Sequence, residues 1–196
     1  MFRGKPACPC LAAWLPVYEG ELLRRGLIKH QIDIYQLIGG AAASAGTHSS
    51  GGAYDLAQFN YEAISVSREM GGISWHRPPN WDGKGGIEHQ HGVLMDCPHN
   101  APAAYQIDAY KAGFNGLGLN GRGGKDTGPR GIHYRTWREG IEWAKAQSAH
   151  KPNAPAFPNF YAAGQALARA KAAHHPGEPE YVAAESALKA IAKFNR

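Results

Sequence analysis

The run ISWHRPPNWDGKGGIEHQHGVLMD, residues 73–96, decides the fold that this sequence predicts. Residues 73–76 combine β-branched and aromatic side chains and stop at a double proline, which predicts a short strand. Residues 80–87 are rich in glycine and predict a loop, and residues 89–96 predict the next strand. Chemically reactive side chains lie at the ends of both strands, where a scaffold can hold them beside an open surface.

Outward from this run, helical and extended patterns alternate along the chain. Apolar residues recur at helical spacing in several segments, and one further segment reads as a strand. We predict helices over residues 14–29, 60–70, 101–113, 137–145, 159–175 and 179–194, and the further strand over residues 31–38. The sequence therefore predicts an α+β fold, in which a small, mostly antiparallel sheet carries flanking helices.

The chain has 196 residues, enough for one domain with a sizeable core and a helical addition. Residues 113–131 are rich in glycine and predict a linker or extended loop, because they match neither phosphate-binding glycine fingerprint. We therefore predict a first domain over residues 1–131 and a helical C-terminal region over residues 132–196. That region either packs on the first domain or stands apart from it.

The composition excludes some classes of protein and leaves others open. The formal net charge is +5, which is compatible with nucleic acid, anionic lipid or cell wall as a partner and does not choose among them. No run approaches the roughly 18 apolar residues of a membrane span, so we expect no membrane insertion. The N-terminus is a poor match to a signal peptide, because prolines interrupt its short apolar patch.

The three cysteines, Cys8, Cys10 and Cys97, are an odd number and do not predict a disulfide framework. Cys8 and Cys10 are too close in sequence to bridge one another easily. Buried thiols are the favoured interpretation, ahead of a structural metal or a bridge that involves Cys97.

Two short elements supply the residue types of a catalytic metal site. His48 and Asp55 are separated by small residues that let the chain turn and return along a strand, and His91 can complete a ligand set of two imidazoles and a carboxylate. Such a set leaves a coordination position for water and keeps the ion a Lewis acid. Glu88 and His89 lie beside His91 and need not be ligands. The two elements together favour a metal site over chance histidine pairs.

Strand geometry conflicts with a shared role for Glu88, His89 and His91 on one side of the sheet. Side chains alternate along a strand, so His89 and His91 share a face and Glu88 points away from it. Only a kink at the preceding Gly85-Gly86 pair would bring Glu88 back to the side of the histidines.

These elements resemble the zinc D-alanyl-D-alanine peptidases, a superfamily that includes lysostaphin-like enzymes and the Hedgehog amino-terminal domain. Residues 47–55 resemble its first motif and residues 88–91, within the longer run 88–94, resemble its second. Together with residues 75–78, 109–117 and 120–121, they are similar to a group of actinobacterial and actinophage peptidoglycan peptidases. The resemblance covers roughly residues 30–131, and nothing in the C-terminal third contributes to it.

The resemblance implies a role for each residue of the two motifs. It makes His48, Asp55 and His91 the ligands of a zinc ion and Glu88 the general base. His89 matches a non-ligand histidine that stabilises the oxyanion or assists proton transfer. It also implies that residues 1–131 are a zinc peptidase domain and that residues 132–196 either bind the cell wall or pack on that domain.

The function implied is hydrolysis of peptide bonds in peptidoglycan stem peptides or crosslinks, by a phage endolysin or a related wall enzyme. Relatives that cleave a terminal dipeptide place an arginine before the first motif, and no local motif identifies Arg24 or Arg25 as that residue. Carboxypeptidase and endopeptidase action are therefore both open. The alternative is a non-catalytic metal-binding or virion-associated module that retains the site.

An endolysin would have peptidoglycan as its partner, and we expect a monomer that binds no nucleic acid. We expect it in the host cytoplasm before its release to the wall. Zinc is the expected metal for a set of two histidines and one aspartate.

Overall fold

The computed structural model describes residues 1–40, 46–57, 59–150, 178, 181–182 and 185–186. The chain divides into two compact units, Met1–Pro152 and Asn153–Arg196. The helices predicted over residues 159–175 and 179–194 lie almost entirely outside the described residues.

The described residues of the first unit form four α-helices and four strands, which confirms the predicted α+β class. The helices are α1 (Pro9–Arg24), α2 (Tyr61–Glu69), α3 (Ala104–Lys111) and α4 (Trp137–His150). The strands are β1 (Ile34–Gln36), β2 (Ala53–Leu56), β3 (Gly72–Arg77) and β4 (His89–Leu94). Helix α1 begins five residues before the predicted start, because Pro9 at its first position has a backbone φ already suited to a helix.

The four strands form one antiparallel sheet in the order β1-β2-β4-β3. Asp55 on β2 and Trp75 on β3 both lie opposite His91 on β4, and Arg77 lies opposite His89. Because paired residues of an antiparallel ladder share a face, these five side chains lie on one side of the sheet, here called the site face. The opposite side is called the core face.

Helices α1 and α2 cover the core face. The Trp14 ring lies 5.2 Å from the Tyr54 ring, and the Tyr18 hydroxyl donates to the carbonyl oxygen of Ala63 at 2.8 Å. Tyr54 crosses β4 at Gly92, where an added Cβ would lie 2.2 Å from Cζ of the tyrosine. Only glycine at position 92 therefore lets β4 pass beneath the Tyr54 ring, which joins the sheet to α1.

Helix α4 extends the same core, although it lies in the predicted C-terminal region. Trp137, Ile141 and Ala144 are buried and belong to the cluster that includes Trp14 and Leu22 of α1. The start of that region is therefore packed on the sheet domain. Within the described residues, no helix is long and apolar enough to cross a membrane.

Helix α3 covers only part of the site face. Ala103, which immediately precedes α3, packs with Ala53 and Val93, and Tyr110 packs with Ile73 and Trp75. The glycine-rich segment 113–131 borders the rest of the site face. A buried ion pair of 3.1 Å between Arg68 and Asp126 anchors this segment. The end of the site face that carries Asp55, His89 and His91 remains open to a cavity.

Candidate metal centre

Three elements bring together the three predicted metal ligands. His48 comes from the loop over residues 46–52, Asp55 from β2 and His91 from β4, and their ligand atoms all lie within 4.8 Å of one another. Nε2 of His48 is 3.3 Å from Oδ2 of Asp55, and Nδ1 of His91 is 2.8 Å from Oδ1. The edge of a tetrahedron built from zinc bonds of this kind is about 3.3 Å. The distance from His48 to Oδ2 equals that edge, and the distance from His91 to the other carboxylate oxygen, Oδ1, is shorter.

The backbone fixes which nitrogen of His48 faces the centre. Nδ1 lies 2.8 Å from the carbonyl oxygen of Leu37, just after β1, so this nitrogen carries the proton and donates it. Nε2 is buried and has no well-directed hydrogen-bond partner among the described residues. The neutral imidazole therefore presents an unshared electron pair towards Asp55.

Gln106 on α3 fixes the tautomer of His91 in the same way. The Gln106 side-chain amide donates to the carbonyl oxygen of Gly116 at 2.9 Å, so its oxygen must face Nε2 of His91, 3.0 Å away. Nε2 of His91 therefore carries the proton, and Nδ1 presents its electron pair to the Asp55 carboxylate. Burial lowers the pKa of His91 and the adjacent Asp55 only partly offsets this, which favours the neutral ring.

At the centre, one nitrogen of each imidazole directs its unshared electron pair at the Asp55 carboxylate. Neither of these two nitrogens carries a hydrogen. Three acceptors facing one another in a buried site repel unless a cation lies among them. The donor set therefore fits a divalent metal ion, and the group is positioned to hold one.

His89 lies in the same cavity but outside the three-residue ligand group. Its Nδ1 is 2.8 Å from the carbonyl oxygen of Ile87 and donates to it, and its Nε2 is 3.6 Å from Oδ1 of Asp55. In its neutral form, His89 therefore presents an unprotonated nitrogen beside the ligands. A group in that position can accept a proton from a water at the metal.

Glu88, the predicted general base, is not brought into the cavity. Its carboxylate Oε1 is 2.8 Å from Nε2 of His76, and among the described residues it does not line the cavity wall. The physical reason is strand alternation, since Gly85 and Gly86 do not kink the chain enough to return Glu88 to the site face. The structure therefore places Glu88 away from the cavity and His89 within it.

Arg24 and Arg25 also lie away from the centre. Both bind Glu21, and Arg25 also binds Glu69, so neither is directed at the cavity. The cavity instead contains Arg77, the last residue of β3, which is 3% exposed. Nη1 donates to the carbonyl oxygen of Asn115, whereas Nη2 has no partner within the described residues. Its place directly opposite His89 could be found only from the strand register.

The cavity has a volume of about 460 Å³ and suits a short peptide better than a single small ion. Tyr35, Trp81 and Tyr105 contribute aromatic side chains to its wall. Burial lowers the pKa of Arg77 to about 10, and the Asp55 and Asp126 carboxylates oppose that effect, so the guanidinium is charged at neutral pH. The cavity thus offers a cationic donor beside the candidate metal centre.

A second group of side chains is also positioned to hold a metal ion. Cys8, Cys10, Cys97 and His99 have ligand atoms within 4.8 Å of one another, and the three cysteines are buried and free. This group lies around the start of α1 and the turn after β4.

Comparison of the chain with protein-family models, with curated proteins and with solved structures finds no match in any of the three. The chemistry of the centre is therefore inferred from its own residues.

Proposed function

We propose that the protein is a zinc-dependent peptidase that hydrolyses peptide bonds in bacterial peptidoglycan, as a phage endolysin. One observation carries the proposal: the hydrogen bonds to Leu37 and Gln106 leave unprotonated nitrogens of His48 and His91 facing the Asp55 carboxylate. Two imidazoles, one carboxylate and an open cavity are the arrangement of catalytic rather than structural zinc sites. The resemblance of residues 47–55 and 88–94 to peptidoglycan peptidases supports the choice of substrate.

The metal ligands and His89 have different roles in the proposed hydrolysis. When bound, the metal supplies Lewis acidity, which lowers the pKa of a water towards about 7 and polarises the scissile carbonyl. Nε2 of His89 accepts the proton as water attacks the carbonyl carbon, and Ile87 holds the ring in place through Nδ1. His89 then returns the proton to the departing amine, so that the peptide bond is replaced by a carboxylic acid and a free amine.

The charge of the cavity indicates the kind of peptide that enters it. Arg77 contributes one positive charge, and a divalent ion would exceed the charge of Asp55, so the loaded site is cationic. A buried cationic site favours a ligand that carries a carboxylate. Stem peptides of peptidoglycan carry such carboxylates, and the aromatic walls of the cavity can pack against their short side chains.

Digestion of purified peptidoglycan is the direct test. We expect the zinc-loaded protein to release new amino groups and soluble fragments from actinobacterial walls, and a chelator to stop the release until zinc is restored. Mass spectrometry of the fragments would identify the bond, because an endopeptidase opens crosslinks whereas a carboxypeptidase releases a terminal residue. Zinc binding at this centre without cleavage of any wall type would favour the non-catalytic binding module instead.

Arg77→Met removes the guanidinium, including the Nη2 that has no partner among the described residues, while keeping a side chain of similar length. We expect KM for a carboxylate-bearing peptide to rise about 10- to 100-fold with a smaller change in kcat, because a charge-assisted hydrogen bond to substrate is lost. Steady-state kinetics on a synthetic stem peptide measures both constants. Arg77→Lys is the matched control, and its effect should be smaller since it keeps the charge but loses the planar fork. A fall in kcat with unchanged KM would place Arg77 at the reacting oxygen instead.

A further inference from the structure

The second metal-binding group, here called the cysteine cluster, consists of Cys8, Cys10, Cys97 and His99. Sγ of Cys8 is 3.9 Å from Sγ of Cys97. Nδ1 of His99 is 3.6 Å from Sγ of Cys10 and 3.7 Å from Sγ of Cys97. Four soft or borderline donor atoms from two distant parts of the chain therefore converge on one point.

These separations match the edges of a zinc tetrahedron with three sulfurs and one nitrogen. Zinc–sulfur bonds of about 2.3 Å give a sulfur–sulfur edge of about 3.8 Å, and a zinc–nitrogen bond of about 2.0–2.1 Å gives a mixed edge of about 3.6 Å. A disulfide between Cys8 and Cys97 would need a sulfur separation near 2.05 Å, far less than the 3.9 Å observed. The spacing of the cluster thus fits coordination rather than a covalent bridge.

The two halves of the cluster have the same local design. Each half has one donor residue before a proline and one after it, in Cys8-Pro9-Cys10 and in Cys97-Pro98-His99. The fixed φ of the proline restricts the conformation of the chain between the two donors. Because Cys8 is the N-cap of α1 and Cys10 lies in its first turn, the start of this helix positions two of the four donor atoms. Thiolate is the form of cysteine that binds metal.

The loop that carries His48 closes tightly over the cluster. The backbone N–H of Gly52 donates to Sγ of Cys8 at 3.4 Å, and the Ser50 hydroxyl donates to the carbonyl oxygen of His99 at 2.5 Å. Gly51 has a φ of +129°, and an added Cβ there would lie 2.8 Å from Cβ of Cys8 and 3.2 Å from Cβ of His99. The cluster is therefore a built site, where three segments of the chain meet without space for a larger residue.

We propose that the cysteine cluster binds a structural zinc ion through Cys8, Cys10, Cys97 and His99. All four coordination positions come from the protein, which is typical of a structural rather than a catalytic zinc. The ion ties the start of α1 to the turn after β4 and supports the loop over residues 46–52, which carries His48. This proposal does not depend on peptidase activity, because it concerns a separate ligand set.

Metal analysis of the full chain distinguishes the two centres. We expect two zinc ions per chain in the wild type, one in Asp55→Ala and one in Cys10→Ser. After replacement of zinc by cobalt, the thiolate-to-cobalt absorption band should persist in Asp55→Ala, because that variant keeps the sulfur ligands. It should be lost or strongly reduced in Cys10→Ser. The thermal midpoint should fall by about 10 °C or more when both ions are stripped from the wild type.

Thiol accessibility can be measured in the wild-type protein, so this test does not depend on whether a variant folds. With zinc bound, all three cysteines should resist a thiol reagent under native conditions, and a chelator should expose them at once. Thiols that are merely buried would stay unreactive after chelation, and that result would overturn the proposal. One zinc per chain that disappears in Asp55→Ala, or a cobalt protein without a thiolate band, would overturn it as well. A Cys8–Cys97 disulfide in the zinc-loaded protein would have the same consequence.

Discussion

Replacement of Asp55 by alanine is expected to abolish peptide hydrolysis and to remove the metal from the centre formed with His48 and His91. The Asp55 carboxylate lies between both imidazoles, 3.3 Å from Nε2 of His48 and 2.8 Å from Nδ1 of His91. Without it, the site keeps two neutral nitrogens and loses the only negative charge among the three ligands. Lewis-acid catalysis is worth several kcal/mol, so we expect activity on peptidoglycan to fall at least about 10³-fold.

Three measurements separate this effect from a loss of fold. Zinc content should fall by one ion per chain, the circular dichroism spectrum should stay close to that of the wild type, and added zinc should not restore activity. Asp108→Ala is the matched control, because Asp108 lies exposed on α3 and outside both metal groups. Full activity in Asp55→Ala would show that the carboxylate is not a ligand of the catalytic ion.

The second large effect is expected for His89→Gln, compared with Glu88→Gln on the adjacent residue. His89 lies in the cavity with Nε2 facing the ligands, whereas Glu88 binds His76 on the other side of the strand. Loss of a general base costs about 10²- to 10⁴-fold, and we expect a fall in kcat of that size for His89→Gln. Glu88→Gln changes only a partly exposed contact with His76, and contacts of this kind are typically worth about 1 kcal/mol or less, so its activity should stay within a few-fold of the wild type.

Together, the two variants show whether His89 or Glu88 is the general base. Zinc content should be unchanged in both, since neither residue belongs to the ligand group. A profile of kcat against pH should lose its acidic limb in His89→Gln, because the group that must be deprotonated for catalysis is gone. If Glu88→Gln were inactive and His89→Gln active, Glu88 would be the base, and the start of β4 would have to rearrange when substrate binds.

Several features of this protein were predictable from the sequence because they depend on local patterns. The hydrophobic runs and the turn residues predicted the α+β class and most of the helices and strands that the structure describes. The spacing of His48 and Asp55, with small residues between them, predicted that one loop and the following strand would place them together. The structure brings those two residues and His91 within 4.8 Å.

Other parts of the site were not predictable from local patterns. Gln106 and the carbonyl of Leu37 orient the two histidine ligands, yet neither belongs to a motif, since each acts through a contact between elements far apart in sequence. The cysteines were interpreted mainly as buried thiols, because an odd number of cysteines predicts no disulfide framework, and the structure buries all three. Their convergence with His99 requires the packing of α1 against the turn that follows β4.

The sequence by itself determined the fold class and the kinds of side chain available for metal chemistry, since periodicity and composition are properties of short segments. Only the tertiary structure decided which of those side chains meet. Strand register sets Arg77 opposite His89, and alternation along β4 turns His89 into the cavity and Glu88 away from it. The physical reason is that a shift of one residue along a strand moves a side chain to the other face of the sheet, and pairing between distant strands fixes that register.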